Sequence, residues 1–175
     1  MSRPQIASDV KLFTAIMFNN QKNYQKIRSI LEQKLGPIDC ESEIYDFNFT
    51  KYYEQEMGCS LKKQFVSFQQ LIRPENLVDI KLWTNDVEER FATNNKRQVN
   101  LDPGYLTTAK IVLATTKNYS HRIYLGKGIY GDIHLRYFHC KYQFFEWTYA
   151  DYKQPLAIEF FTCARKLFKE SNKHL

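Results

Sequence analysis

Apolar and polar positions along the chain fall into short runs with two different periods. Lys11-Leu-Phe-Thr-Ala-Ile-Met-Phe18 is a nearly unbroken apolar run that reads as a buried first strand, and Asn19-Asn20 can cap a helix directly after it. Tyr24, Ile27, Leu31 and Leu35 recur at helical spacing until Gly36-Pro37 stops that helix. Residues 43–49 alternate, with Tyr45, Phe47 and Phe49 on one side, which is the period of a half-buried strand. Another strand is predicted over 61–72. A second helix is predicted from Pro74, its buried stripe made by Leu77, Ile80, Val87 and Phe91 beside Trp83. Residues 98–101 form a short strand closed by Asp102-Pro103-Gly104, where Pro fixes one corner of a turn and Gly permits positive φ.

The order to this point, βαββαβ, is that of a ferredoxin-like sandwich, an antiparallel sheet with two helices on one face. The rest of the chain predicts a helix capped by Thr107 or Thr108 and running to Thr115. After it come a hairpin of 120–125 and 129–137 turning at Gly126-Lys127-Gly128, and a strand over 142–147. A last helix opens at Pro155, with Leu156, Phe160, Cys163 and Leu167 on one side. No linker, low-complexity tract or repeat interrupts the sequence. Residues 1–175 are therefore expected to form a single α+β domain, with a ferredoxin-like antiparallel core extended by the extra hairpin and packed by the C-terminal helix.

Composition narrows the class. The 175 residues are 43% hydrophobic and 25% charged, with 13 Phe, 12 Tyr and 2 Trp but only six Gly and five Pro, which excludes disordered and collagen-like chains. A chain of this length buries enough surface to fold without disulfides or a structural metal. No apolar run approaches the ~18 residues of a membrane span, and Met1-Ser2-Arg3-Pro4-Gln5 leads inward without a signal-peptide core, so a soluble cytoplasmic protein with no membrane partner is expected. Cys40, Cys59, Cys140 and Cys163 are spaced too widely for a C-x-x-C clip and are expected to be reduced.

Charge is unevenly spread. The net charge is +6, yet residues 39–58 hold six acidic residues and one Lys. Residues 104–141 reverse this, with Lys110, Lys117, Arg122, Lys127, Arg136 and Lys141 against Asp132. The two blocks either face each other or face different partners, unless they are simply solvated outer faces.

Gly126-Lys-Gly-Ile-Tyr-Gly131 matches G-x-G-x-x-G, a pattern whose bare backbone lets N–H groups approach phosphates. A dinucleotide site needs that loop between strand and helix, whereas here it joins two strands. The strand-loop-strand setting resembles a protein-kinase glycine loop, but no catalytic loop or D-F-G comes after it, and no Gly-Lys-Ser/Thr triplet of a P-loop occurs anywhere. Two readings stay open: a phosphate-covering hairpin, or a tight turn at Gly126 and Gly128 with a bulge at Gly131.

Asn100-Leu-Asp-Pro-Gly-Tyr-Leu-Thr107 and Ser120-His121-Arg122 supply further candidates. Asp102, Tyr105 and His121 offer an acid, a phenol and a titratable imidazole for catalysis, while Arg122, Lys117 and Lys127, with the loop at Gly126 and Gly128, suit an anionic ligand. The plainer alternative makes Asp102 a turn residue, Tyr105 a core aromatic and His121-Arg122 a surface pair. Tyr52-Tyr53 with Glu54-Gln-Glu-Met-Gly58 reads as a cation or general-acid cluster, or as a solvated loop. His134 and His139 are expected on opposite faces, so no metal is assigned to them, and no cofactor is identified. An RNA-recognition strand motif fails at Ile129, Asp132 and Leu135, although a pI near 9.0 leaves less specific nucleic-acid binding open.

Longer strings carry a family resemblance. They include Gly36-Pro-Ile-Asp39, Thr50-Lys-Tyr-Tyr53, Glu56-Met-Gly58, Ile80-Lys-Leu-Trp-Thr-Asn85, Leu113-Ala-Thr-Thr-Lys117, Tyr119-Ser-His-Arg-Ile-Tyr-Leu-Gly-Lys-Gly-Ile-Tyr130 and Trp147-Thr-Tyr-Ala-Asp-Tyr152. Together they resemble the prokaryotic domain-of-unknown-function family four-four-one-six over nearly the whole chain. The resemblance implies no established activity. Some members carry an inherited label of GTP-binding protein, and the P-loop on which such a label normally rests is missing here. The expected function is binding of a small anionic ligand, a nucleotide or phosphate ester, with or without catalysis. Two alternatives stand beside it: a basic interaction module for nucleic acid or an acidic protein, and an oligomeric protein whose interface uses the aromatics between Tyr137 and Tyr152.

Overall fold

All nine residues of β1 (Val10–Phe18) are buried, the signature of a strand covered on both faces. In this computed structural model, which describes residues 3–172, β1 is followed by α1 (Gln21–Leu35), β2 (Ile38–Glu41), β3 (Tyr45–Asp46), the single turn α2 (Glu54–Met57) and β4 (Lys62–Ile72). Then come α3 (Leu77–Arg90), β5 (Val99–Leu106), β6 (Lys110–Thr115), β7 (Arg122–Gly126), β8 (Ile129–Phe138), β9 (Lys141–Phe144) and α4 (Pro155–Ser171). Met1, Ser2 and residues 173–175, which the expected 1–175 domain includes, lie outside the described residues.

The nine strands form one antiparallel sheet in the order β2-β4-β1-β5-β6-β8-β7, with β3 also on β4 and β9 also on β8. Alternation along β1 sorts the core into two layers. Leu12, Ile16 and Phe18 meet Ile27 and Leu31 of α1 and Val87 of α3. On the other face Phe13 and Ala15 meet Phe160, Phe161 and Ala164 of α4. The protein is thus α+β, with helices on both faces of a sheet of nine strands, more than the four of a ferredoxin-like core.

The first helix forms as its pattern predicts. The Asn20 side chain accepts hydrogen bonds from the Lys22 and Asn23 amides, Tyr24, Ile27, Leu31 and Leu35 are buried, and Gly36 ends the helix at φ +94°. Other segments depart from expectation. Residues 110–115, predicted as helix, are strand β6. Ile111 to Ala114 are all buried, and a strand covered on both faces lacks the alternation that separates it from a buried helix. Thr107 caps a turn instead, its hydroxyl accepting from the Ala109 and Lys110 amides.

Asp102-Pro103-Gly104 is not a turn either: β5 runs straight through it, with Thr14 of β1 opposite Pro103 and Phe13 opposite Gly104. Gly104 is required there by space, since a Cβ would lie 2.5 Å from the Val112 carbonyl oxygen and 2.7 Å from the Phe13 ring. The strand predicted over 43–49 shrinks to Tyr45–Asp46, while Ile38–Glu41 pairs with β4 unforeseen. In α4 the buried side is Ala157, Phe160, Phe161, Ala164 and Phe168, and Cys163 is exposed.

One irregularity creates the site. β5 and β6 pair only where Gly104–Leu106 meets Ile111–Leu113. Nearer the start of β5, Leu101 has lost that neighbour: its N–H donates to Glu88 Oε1 at 2.6 Å, and its carbonyl accepts from Lys81 Nζ at 2.8 Å. Two side chains of α3 therefore take the place of a strand, which is what satisfies the backbone while the sheet opens.

Candidate ligand-binding cleft

Two adjoining cavities of about 390 and 210 Å³ occupy this end of the sheet and share Tyr52, Tyr53, Asp102, Lys117 and Tyr149. The larger half is walled by Phe47, Phe49, Tyr52, Tyr53, Tyr119 and Tyr149, with Lys63, Arg122 and Asp151 below. The smaller half lies where β5 and β6 part, among Lys81, Asn85, Glu88, Arg97, Asn100, Thr115 and Thr116.

The base of the larger half is a buried ion pair. Lys63 Nζ lies 2.6 Å from Asp151 Oδ2, with side chains only 4% and 3% exposed, and the Tyr45 hydroxyl donates to the same oxygen at 3.1 Å. The ammonium is also 5.1 to 5.5 Å from the ring centroids of Phe47, Phe65 and Tyr152, so three aromatic faces replace its water. Burial and the Asp151 charge push the Tyr45 phenol up, keeping it a hydrogen-bond donor.

Arg122 spends its guanidinium on protein. Nε donates to Asp132 Oδ2 at 3.1 Å, Nη1 to the Lys117 carbonyl at 3.0 Å and Nη2 to the Tyr149 hydroxyl at 3.1 Å. Burial works against ionisation of Asp132, but hydrogen bonds from His134 and Arg122 outweigh it and hold the carboxyl below its usual range. His134 is fully buried, and burial lowers its pKa despite Asp132. His121 Nε2 reaches the same carboxylate at 3.2 Å from outside the cleft, its ring stacked on Trp147 at 4.7 Å.

Asp102 stands where the two halves meet. Its Oδ2 accepts from Asn100 Nδ2 at 2.8 Å, Lys81 Nζ is 3.6 Å from Oδ1, and its side chain is 26% exposed. Arg97 closes the smaller half, donating to both oxygens of Glu56 at 2.6 Å and to Glu88 at 3.3 Å. The Tyr52–Gly58 cluster is therefore a wall of the cleft: α2 carries Glu56 to Arg97 and buries Met57. Lys117 Nζ donates to the Tyr52 hydroxyl at 3.1 Å and lies 4.4 Å from the centroid of that ring.

Of the residues singled out in the sequence, Asp102, Lys117 and Arg122 line one cleft, and His121 touches it through Asp132. Tyr105 lines neither half and packs instead with Leu77 and Val78 at the start of α3 and with Val112. Lys127 is bound to Asp79 of α3 at 2.6 Å, away from the cleft. Gly126, Lys127 and Gly128 all have positive φ and turn β7 tightly into β8, and the irregular step in that ladder falls at Leu125 rather than Gly131. The basic block is not one face either, with Arg122 buried on Asp132 and Lys127 held by Asp79.

Lys63, Lys81, Glu88, Arg97, Tyr149 and Asp151 were not foreseen. A signal existed for two of them: Lys81 and Glu88 stand four and eleven residues after Leu77, on the buried stripe of α3 where charge is out of place.

Fold and cleft together define an α+β protein with a ligand-sized cavity at an opening in its sheet. The chain belongs to the family described as Domain of unknown function (DUF4416), whose family model matches residues 8–168, in agreement with the resemblance carried by its strings. A search of curated proteins finds no significant match, and neither does a search of solved structures. Among the described residues no helix is long and apolar enough to cross a membrane.

Proposed function

We propose that the cleft binds a small anionic ligand, a nucleotide or phosphate ester, with Lys117 as its principal charge contact. One observation carries this reading. Lys63, Lys81, Arg97 and Arg122 each have a carboxylate within 4 Å, whereas among the described residues none lies that close to Lys117 Nζ. An incoming phosphate or carboxylate supplies the missing counter-charge, and the aromatic walls suit a planar or ring-shaped body. Arg122 acts as a positioning residue in this reading, because its bond to the Lys117 carbonyl sets where that side chain starts. Asp102 lines both halves beside the ligand, whereas His121 stands outside the cleft, against Asp132. On the same reading, β2-β4-β1-β5 with α1 and α3 is a ferredoxin-like core, and the cleft marks the seam with its extension.

A thermal-shift panel of nucleotides and phosphate esters tests the proposal. A ligand at about 100 times its dissociation constant adds ~2.7 kcal/mol, or roughly 5 to 11 °C for a domain of this size. A panel without any shift removes the reading.

A second reading, association with another copy of this chain, is favoured by the far edge of the sheet. Ile123, Tyr124 and Leu125 on the edge strand β7 are 66%, 60% and 42% exposed, and no Pro or central charge protects that edge. Antiparallel pairing of two β7 strands about Tyr124 sets apolar side chains opposite one another, the self-complementary arrangement of a two-fold dimer.

A further inference from the structure

We infer, resting on the anionic-ligand reading, that the smaller half of the cleft is a subsite for the vicinal hydroxyls of a phosphorylated sugar, with Asp102 as their acceptor. A hydroxyl both donates and accepts, so a site for several of them needs donors and acceptors side by side. The opening between β5 and β6 provides that mixture in the Asn85 amide, the Thr116 hydroxyl and the Asp102 carboxylate, while Asn100 is engaged by Asp102 and Arg97 and the Thr115 hydroxyl accepts from the Lys117 amide.

Asp102 is equipped for two hydroxyls at once. A carboxylate offers about four lone-pair directions. Asn100 takes one at 2.8 Å, and Lys81 stands off at 3.6 Å because its nearer partner is the Leu101 carbonyl at 2.8 Å. The remaining acceptor capacity faces the cavity on a side chain that is 26% exposed. Neighbouring hydroxyls on one sugar can both donate to it. Lys81 and Arg97, the cations of that half, are already paired with Asp102, Glu56 and Glu88, so the phosphoryl group is directed instead to Lys117, which lines both halves. Tyr52, Tyr53 and Tyr149 also line both halves and give the sugar carbon frame an apolar wall.

The shared chemistry is a vicinal diol beside a phosphoryl group, whether in a free pentose phosphate or in a ribonucleotide. Two matched pairs of probes separate these sources: ribose 5-phosphate against 2-deoxyribose 5-phosphate, and AMP against 2′-deoxy-AMP, each titrated into the wild-type protein. The ribo member of at least one pair is expected to bind at least tenfold more tightly, since its deoxy analogue leaves the acceptor unfilled. In Asp102→Asn, with an unchanged melting temperature, the ribo ligand should weaken while the deoxy ligand holds or gains, a split that general damage to the fold does not produce. Equal binding of ribo and deoxy members to the wild type overturns the inference. If binding is equal but lost in Lys117→Ala, the anionic-ligand reading survives. If none of the four probes binds, the sugar subsite is refuted, and the wider phosphate-ester panel then decides the fate of the anionic reading separately.

Discussion

His134 fixes its own protonation state. Its Nε2 accepts from the Tyr149 amide at 2.9 Å, so the proton sits on Nδ1 and is donated to Asp132 at 3.3 Å. Burial lowers its pKa, so the folded ring stays neutral at pH values where an unfolded histidine, with its ordinary pKa of about 6.5, has already gained a proton. Below that value the unfolded chain binds the extra proton, and stability falls with pH at up to about 1.4 kcal/mol per unit until the folded ring titrates. The depressed Asp132 carboxyl adds a second loss, starting near its unfolded value of about 4 and continuing downward. Urea unfolding between pH 7.5 and 5 is expected to show the first loss in the wild type and a flatter profile in His134→Gln. A wild-type profile that stays level through pH 6 contradicts this account of the ring.

At the scale of elements, β5 carries the lesson about what a sequence discloses. Amphipathic α1 was legible because one period dominated it, and β1 because its apolar run is short and bounded by polar residues. Asp102-Pro103-Gly104 was misread because turn residues served other ends: Pro103 sits in the strand, and Gly104 admits the Phe13 ring. Gly104→Ala should therefore cost about 1–3 kcal/mol through overpacking against the Val112 carbonyl and the Phe13 ring, measurable as a lowered urea midpoint, and a neutral result would contradict this account of Gly104. Asp102, Lys117 and Arg122 were legible as site candidates by residue type alone. The other charges of the cleft were not, because Lys63, Arg97 and Asp151 acquire their places only when β4, the approach to β5 and the approach to α4 converge. The glycine loop at Gly126 drew attention for its phosphate-binding pattern, yet its three positive-φ residues serve a hairpin turn.

For the whole molecule, the sheet divides the labour. Its β2-β4-β1-β5 side is sealed by α1, α3 and α4, while β7, β8 and β9 leave Ile123, Tyr124, Phe138 and Phe144 exposed. Mass measurement at two concentrations should show a dimer that Tyr124→Lys returns to monomer, and a wild-type monomer at every concentration rejects the edge pairing. The acidic and basic blocks touch where Lys117 rests on Tyr52, and both residues line the two halves of the cleft. Titration calorimetry of the best-stabilising phosphate ester into wild type and Lys117→Ala tests the central claim most directly. A charge-assisted contact contributes roughly 1.5–3 kcal/mol, so the variant should bind about 10- to 100-fold more weakly at an unchanged melting temperature. Equal affinity in the two proteins would show that Lys117 is not the anion contact, and the proposed site would fall with it.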